Sequence, residues 1–172
     1  MNPAQKTVAI GAASGVLSML LLVTLLYFLI PAPLGMATLS ERIAFALKLN
    51  VIAVLPFFVM IITVGNSRFL SDAIDPLAER ETLAQIVNGR VADNTLQQNF
   101  IFLVGTLALS ALLKPTSVQL LIAATVVFVL ARAAFWLGYR LGPLYRAPGM
   151  AATAYLNLGI LLAVFVCWIW GD

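Results

Sequence analysis

Five stretches of this chain are almost free of charge, and each is about as long as a bilayer is thick. A helix crossing the hydrocarbon core needs about 20 predominantly apolar residues. Residues 8–30 carry no charge, and Pro31 and Pro33 stop them. This stretch is too long for the apolar part of a cleaved signal peptide, so it reads as a retained helix. A second covers about 49–65 and extends back to Ile43 if Lys48 lays its stem along the helix and keeps its ammonium at the surface. Pro56 inside it predicts a kink. The third covers 94–113 and ends at Lys114-Pro115. The fourth covers 118–139 and contains Arg132; the fifth covers 150–170, with Trp168 and Trp170 placed as interfacial anchors.

Composition supports the same reading. Hydrophobic residues make up 62% of the 172 residues and charged residues 10%. A soluble domain carries about 25% charged residues, so the charge here cannot cover a water-facing surface. A net charge of +3, scattered along the chain, gives no nucleic-acid footprint. The chain has no histidine, which excludes His-based acid–base chemistry, His-dependent nucleophile systems and His-ligated metal sites. The lone Cys167 cannot form an internal disulfide, and in an apolar helix it reads as a buried, inert thiol.

The expected fold is therefore all-α, a bundle of five membrane spans. One long polar connection, 66–93, holds Asp72, Asp75, Glu79, Glu81 and Asp93. Asp75-Pro76 reads as an N-cap followed by a first helical residue, predicting a short amphipathic surface helix over 76–86 that ends near Asn88-Gly89. The next two connections are short, so the third, fourth and fifth helices should pack as antiparallel neighbours. Lys6, Arg68, Arg80, Arg90, Arg140 and Arg146 fall on one side, against Arg42, Lys114 and Lys48 on the other. The bias places the N-terminus and the long loop in the cytoplasm.

Two polar clusters interrupt the apolar pattern. Arg90, Asn94 and Gln97 are spaced i, i+4, i+7 and share one face of the third helix over about 10 Å of rise. Arg132, Phe135 and Tyr139 share a face of the fourth, and Arg146 follows. The run from Val118 to Ala131 is uncharged, so Arg132 lies deep, where a charge costs about 2.5–3.5 kcal/mol and needs partners. Few acids are at hand, and an external anion or a neighbouring subunit could supply them. Plainer readings stand beside these. Arg90, Arg140 and Arg146 also suit interfacial cations on lipid headgroups. Asn94 and Gln97 suit interhelical hydrogen bonding, and Gly11 and Gly15 a small-residue packing face. Arg132 suits snorkelling, and Tyr139 an aromatic belt.

Together the two clusters are more specific. An Arg-x-x-x-Asn-x-x-Gln face, then Arg-x-x-aromatic-x-x-x-Tyr, then a basic residue seven positions on, resembles the MAPEG family, membrane-associated proteins of eicosanoid and glutathione metabolism. The resemblance covers about 43–170 and leaves 1–34 as an extra N-terminal transmembrane helix before a four-helix domain at 43–172. It implies a homotrimer with glutathione as co-substrate in a crevice between subunits near the cytoplasmic side. It also implies that Arg90, Asn94, Gln97, Arg132 and Tyr139 bind glutathione and that Arg146 is the catalytic cation beside the sulfur. Phe135 falls where the family often has His or Tyr, and would offer only packing. Gln97 replaces the family's acid, which removes the ion pair to the ammonium of glutathione and weakens binding.

The physical chemistry suits that expectation. Arginines bind carboxylates by paired, charge-assisted bonds. A cation near a thiol lowers its pKa from about 8.5 into a range of about 3.5–7.5, which makes the nucleophile without a histidine base. An apolar electrophile or lipid peroxide can enter from the bilayer. The expected function is a membrane-bound glutathione-dependent transferase or peroxidase, with a non-catalytic lipid-binding or scaffold protein of the same fold as the alternative. A transporter has only Arg132 in its favour, because no intramembrane acid and no repeat accompany it.

Overall fold

The computed structural model describes residues 1–75 and 77–170. Among them there is no strand; the chain forms α1 (Pro3–Leu29), α2 (Leu39–Phe69), α3 (Leu83–Leu112), α4 (Gln119–Leu141) and α5 (Ala147–Trp170). Each, with α4 extended by the turn that precedes it, is long and apolar enough to cross a membrane. Side chains such as Leu17, Leu21, Phe28, Val51 and Phe58 point outward and are exposed.

The helices run further than hydropathy alone indicates, because their ends are set by capping. Asn2 with Gln5, Thr38 with Glu41, and Thr82 with Gln85 each form a reciprocal capping box that fixes the starts of α1, α2 and α3. α2 therefore begins at Leu39, four residues before the expected position, and runs unbroken through Pro56. α5 begins at Ala147 rather than Met150, with Pro148 in its first turn, where the missing N–H is not needed.

The expected surface helix over 76–86 does not form. Asp72–Ile74 makes one 3-10 turn, and Asp75 takes extended backbone while its carboxylate accepts from the Leu77 N–H at 2.9 Å. Pro76 lies outside the described residues. Helix resumes only at Leu83, and it runs straight through Asn88-Gly89 into the apolar segment. The connection after α2 is thus about 70–82, shorter than the 66–93 expected. Arg68 reaches Glu81 through Nε at 2.8 Å and through Nη2, while Gln85 Nε2 donates to the Ser67 carbonyl and to Ser71 Oγ, each at 2.8 Å. These contacts hold the connection against the ends of α2 and α3.

Helix α4 packs against each of the other four, and the aromatic pair Phe102–Phe128 fills its interface with α3 at a ring-centroid distance of 4.3 Å. As expected, α3, α4 and α5 are mutual neighbours. α1 lies on α5 and α4. The contact depends on two glycines: a Cβ at Gly11 would stand 3.1 Å from the Ala147 Cβ, and one at Gly15 would overlap the Pro148 carbonyl. At the far end, Arg42 donates to the carbonyls of Met36, Ala37, Ser110 and Ala111, which ties the α1–α2 connection to the last turn of α3.

Candidate functional site

The start of α3, the end of α4 and the start of α5 meet at one end of the bundle. Helical spacing puts Arg132, Phe135 and Tyr139 on one face of α4. Two glycines let the next segments come close to that face. A Cβ at Gly149 would strike the Phe135 nitrogen and the Ala131 carbonyl, and one at Gly138 would strike the Tyr145 carbonyl.

Arg132 is wholly buried, at 0% exposure. Its Nε donates to Thr153 Oγ1 at 3.0 Å, and its Nη2 donates to the same oxygen at 2.7 Å and to the Gly149 carbonyl at 3.2 Å. Its Nη1 donates to Asn94 Oδ1 at 2.9 Å. These bonds use four of the five guanidinium donors. The guanidinium carbon also lies 4.5 Å from the centroid of the Phe135 ring. All of these acceptors are neutral, and the one salt bridge among the described residues, Arg68–Glu81, is elsewhere. Burying a charge costs several kcal/mol. A hydrogen bond to a charged group returns about 1.5–3 kcal/mol, so the network holds the cation in place without neutralising it.

In front of this network lies a cleft of about 210 Å³, lined by Arg90, Asn94, Phe135, Tyr139, Arg146 and Met150. Phe135 and Tyr139 stack with centroids 5.9 Å apart and planes 17° from parallel. The Arg146 guanidinium lies 5.0 Å from the Tyr139 ring centroid, and its Nη1 donates to the Pro143 carbonyl at 3.0 Å. Arg132, Phe135, Tyr139 and Arg146 thus form one column of cation, ring, ring and cation. Cation–π contacts of this kind contribute about 0.5–2 kcal/mol each. No carboxylate lines the cleft, and Tyr139 carries its one side-chain hydroxyl. Two guanidiniums and an amide on its walls make the cleft basic and rich in hydrogen-bond donors.

Four of the six residues expected at the site, Arg90, Asn94, Tyr139 and Arg146, line this one cleft. The other two do not. Arg132 stands behind it; the partners that an external anion or a neighbouring subunit could have supplied are instead Asn94, Thr153 and Gly149 within the chain. Gln97 lies exposed on α3 outside the cleft, because three further residues of helix carry it past the cleft's edge. Phe135, expected only to pack, also carries the cation–π contact to Arg132.

Sequence reasoning missed Thr153, which accepts twice from Arg132 and donates to the Gly149 carbonyl at 2.7 Å. It also missed Asn88, whose Oδ1 accepts from Trp136 Nε1 at 3.0 Å, and Asn157, whose Nδ2 donates to the Gln98 carbonyl at 3.1 Å and to its Oε1 at 2.9 Å. A signal existed for two of them: Thr153 and Asn157 are isolated polar side chains on an apolar helix, and such residues need interhelical partners. Among the described residues no group of three or more His, Cys, Asp or Glu side chains could hold a metal ion.

Fold and cleft together define an all-helical protein with five helices of membrane-crossing length and a basic cleft at one end of the bundle. No family model, no curated protein and no solved structure matches the chain.

Proposed function

We propose that this is an integral membrane protein of MAPEG type, a membrane-bound glutathione-dependent transferase or peroxidase that acts on an apolar electrophile or lipid peroxide. The observation that carries the reading is the convergence of Arg90, Arg146 and Asn94 on one cleft with no acid among its lining residues. Such a cleft suits a carboxylate of glutathione, and the Arg146 guanidinium would stabilise the thiolate. The thiol proton leaves to solvent. The sulfur lone pair then forms the new bond to the electrophilic carbon as the leaving group departs with its electron pair. With a peroxide, sulfur takes the terminal oxygen, the O–O bond breaks and an alcohol leaves; a second glutathione reduces the sulfenic acid to disulfide and water.

The cleft volume of about 210 Å³ is below the roughly 300–1,000 Å³ of ordinary ligand pockets. One chain therefore houses one end of a tripeptide, and the rest extends toward a neighbouring copy in a homotrimer. The N-terminus and the 70–82 connection lie on the cytoplasmic side by charge bias. The same small volume favours a second reading, a non-catalytic protein holding the headgroup of an anionic lipid.

Calorimetric titration of the detergent-purified protein with glutathione, paired with a conjugation assay on a chlorinated dinitroarene, tests the proposal. Binding and turnover that both fall in Arg146→Gln are the expected result. Folded protein that retains an anionic lipid, ignores millimolar glutathione and conjugates nothing would leave the second reading.

A further inference from the structure

We infer that Arg132 is a positioning residue that, from outside the cleft, dictates which end of the Asn94 amide a ligand meets, and so makes the cleft selective for an oxyanion. The inference rests on the reading of the cleft as a ligand site.

An arginine side chain has donors and no acceptor. Arg132 cannot turn away, because Thr153 Oγ1 and the Gly149 carbonyl hold two of its nitrogens from α5 and the Phe135 ring covers its face. Only the oxygen of Asn94 can therefore face Nη1, and it does so at 2.9 Å. The Asn94 Nδ2 has no hydrogen-bond partner among the described residues, and Asn94 lines the cleft. Its two N–H bonds are left for a guest. Arg90 and Arg146 add further donors, so the three nitrogen-bearing side chains of the cleft all donate, and the Tyr139 phenol can donate as well. A carboxylate, sulfonate or phosphate accepts from all of them. An ammonium or an amide N–H finds only the Tyr139 phenol oxygen as a side-chain acceptor among the lining residues.

If Arg132 served the fold alone, changes at Asn94 would move stability and ligand affinity in the same direction. The positioning role separates them. In Asn94→Asp, which keeps the side-chain shape, one carboxylate oxygen pairs with the buried Arg132 and the other faces the cleft. The thermal midpoint should rise while glutathione affinity falls at least about tenfold. Asn94→Leu removes the donor without adding charge and should also cost about tenfold. Arg132→Lys keeps the charge, but a single ammonium cannot hold Thr153 and Asn94 together, so affinity should again fall.

The experiment measures glutathione affinity and thermal midpoint for wild type, these three variants and Arg146→Gln, in nanodiscs with and without phosphatidylglycerol. Glutathione diethyl ester, with both carboxylates blocked, should bind at least tenfold more weakly than glutathione. Competition by phosphatidylglycerol would mean that the natural oxyanion is a lipid phosphate; lack of competition would mean a carboxylate. Either result is compatible with the inference. Arg146→Gln that loses affinity while Asn94→Asp and Asn94→Leu stay within twofold of wild type would overturn it and leave the cleft intact. A wild type that binds no oxyanion would remove both.

Discussion

Replacing Thr153 with Val removes one oxygen and almost no volume. Thr153 is wholly buried, and its hydroxyl accepts from Arg132 Nε at 3.0 Å and Nη2 at 2.7 Å. A hydrogen bond to a charged group contributes about 1.5–3 kcal/mol. The two bonds share one acceptor and so do not simply add, and the expected loss is about 2–3 kcal/mol. Thr106→Val is the internal control. Its hydroxyl accepts from the neutral Asn50 Nδ2 at 2.9 Å and is buried to the same degree. Interhelical bonds of that neutral kind average about 0.6 kcal/mol in membrane proteins, so the control should lose less than about 1 kcal/mol. Equilibrium unfolding of both variants in mixed detergent micelles gives the comparison. A Thr153→Val loss no larger than that of Thr106→Val would refute the claim that a buried, un-neutralised cation depends on this hydroxyl.

Two glycines should respond with opposite signs. Gly15→Ala forces a methyl into the Pro148 carbonyl and should destabilise by about 1–3 kcal/mol as α1 shifts on α5, whereas Gly65→Ala meets nothing within 4 Å and should stabilise α2 by up to about 1 kcal/mol. Thermal unfolding monitored by circular dichroism reads both, and equal effects would contradict the close packing of α1. Glu81→Gln breaks a bridge whose side chains are 36% and 25% exposed, so the loss should stay below about 1 kcal/mol. A larger loss in the same unfolding assay would show that the 70–82 connection contributes more to the fold than its exposed bridge implies.

The five helices were legible because long uncharged stretches leave few alternatives, and Gly11 with Gly15 correctly marked a packing face. Helix ends were less legible. Residues 66–93 read as one polar connection with Gln85 in a short surface helix over 76–86, although the Thr82–Gln85 capping box already marks the start of α3. The expected helix over 76–86 relied on Asp75-Pro76 as a start signal; the Asp75 carboxylate instead bonds two residues on and makes a local turn that competes with helix. At the site, i, i+4 and i+7 spacing identified which residues share a face, and that brought Arg90 and Asn94 to one cleft. Spacing says nothing about depth across helices. Arg132 and Tyr139 share a face, yet one lies behind the cleft and the other lines it. Thr153 stood out only as a polar side chain on an apolar helix, and its role depends on α5 approaching α4 at Gly149.

A double-mutant cycle on Arg90 and Arg146, read as glutathione affinity in the detergent-purified protein, bears most directly on the shared cleft. If both guanidiniums act on one anionic guest, Arg90→Gln and Arg146→Gln should be non-additive, with a coupling above about 1 kcal/mol. Losses that add to within about 0.5 kcal/mol, or an affinity that neither variant changes, would mean that the two cations serve separate headgroups and share no ligand.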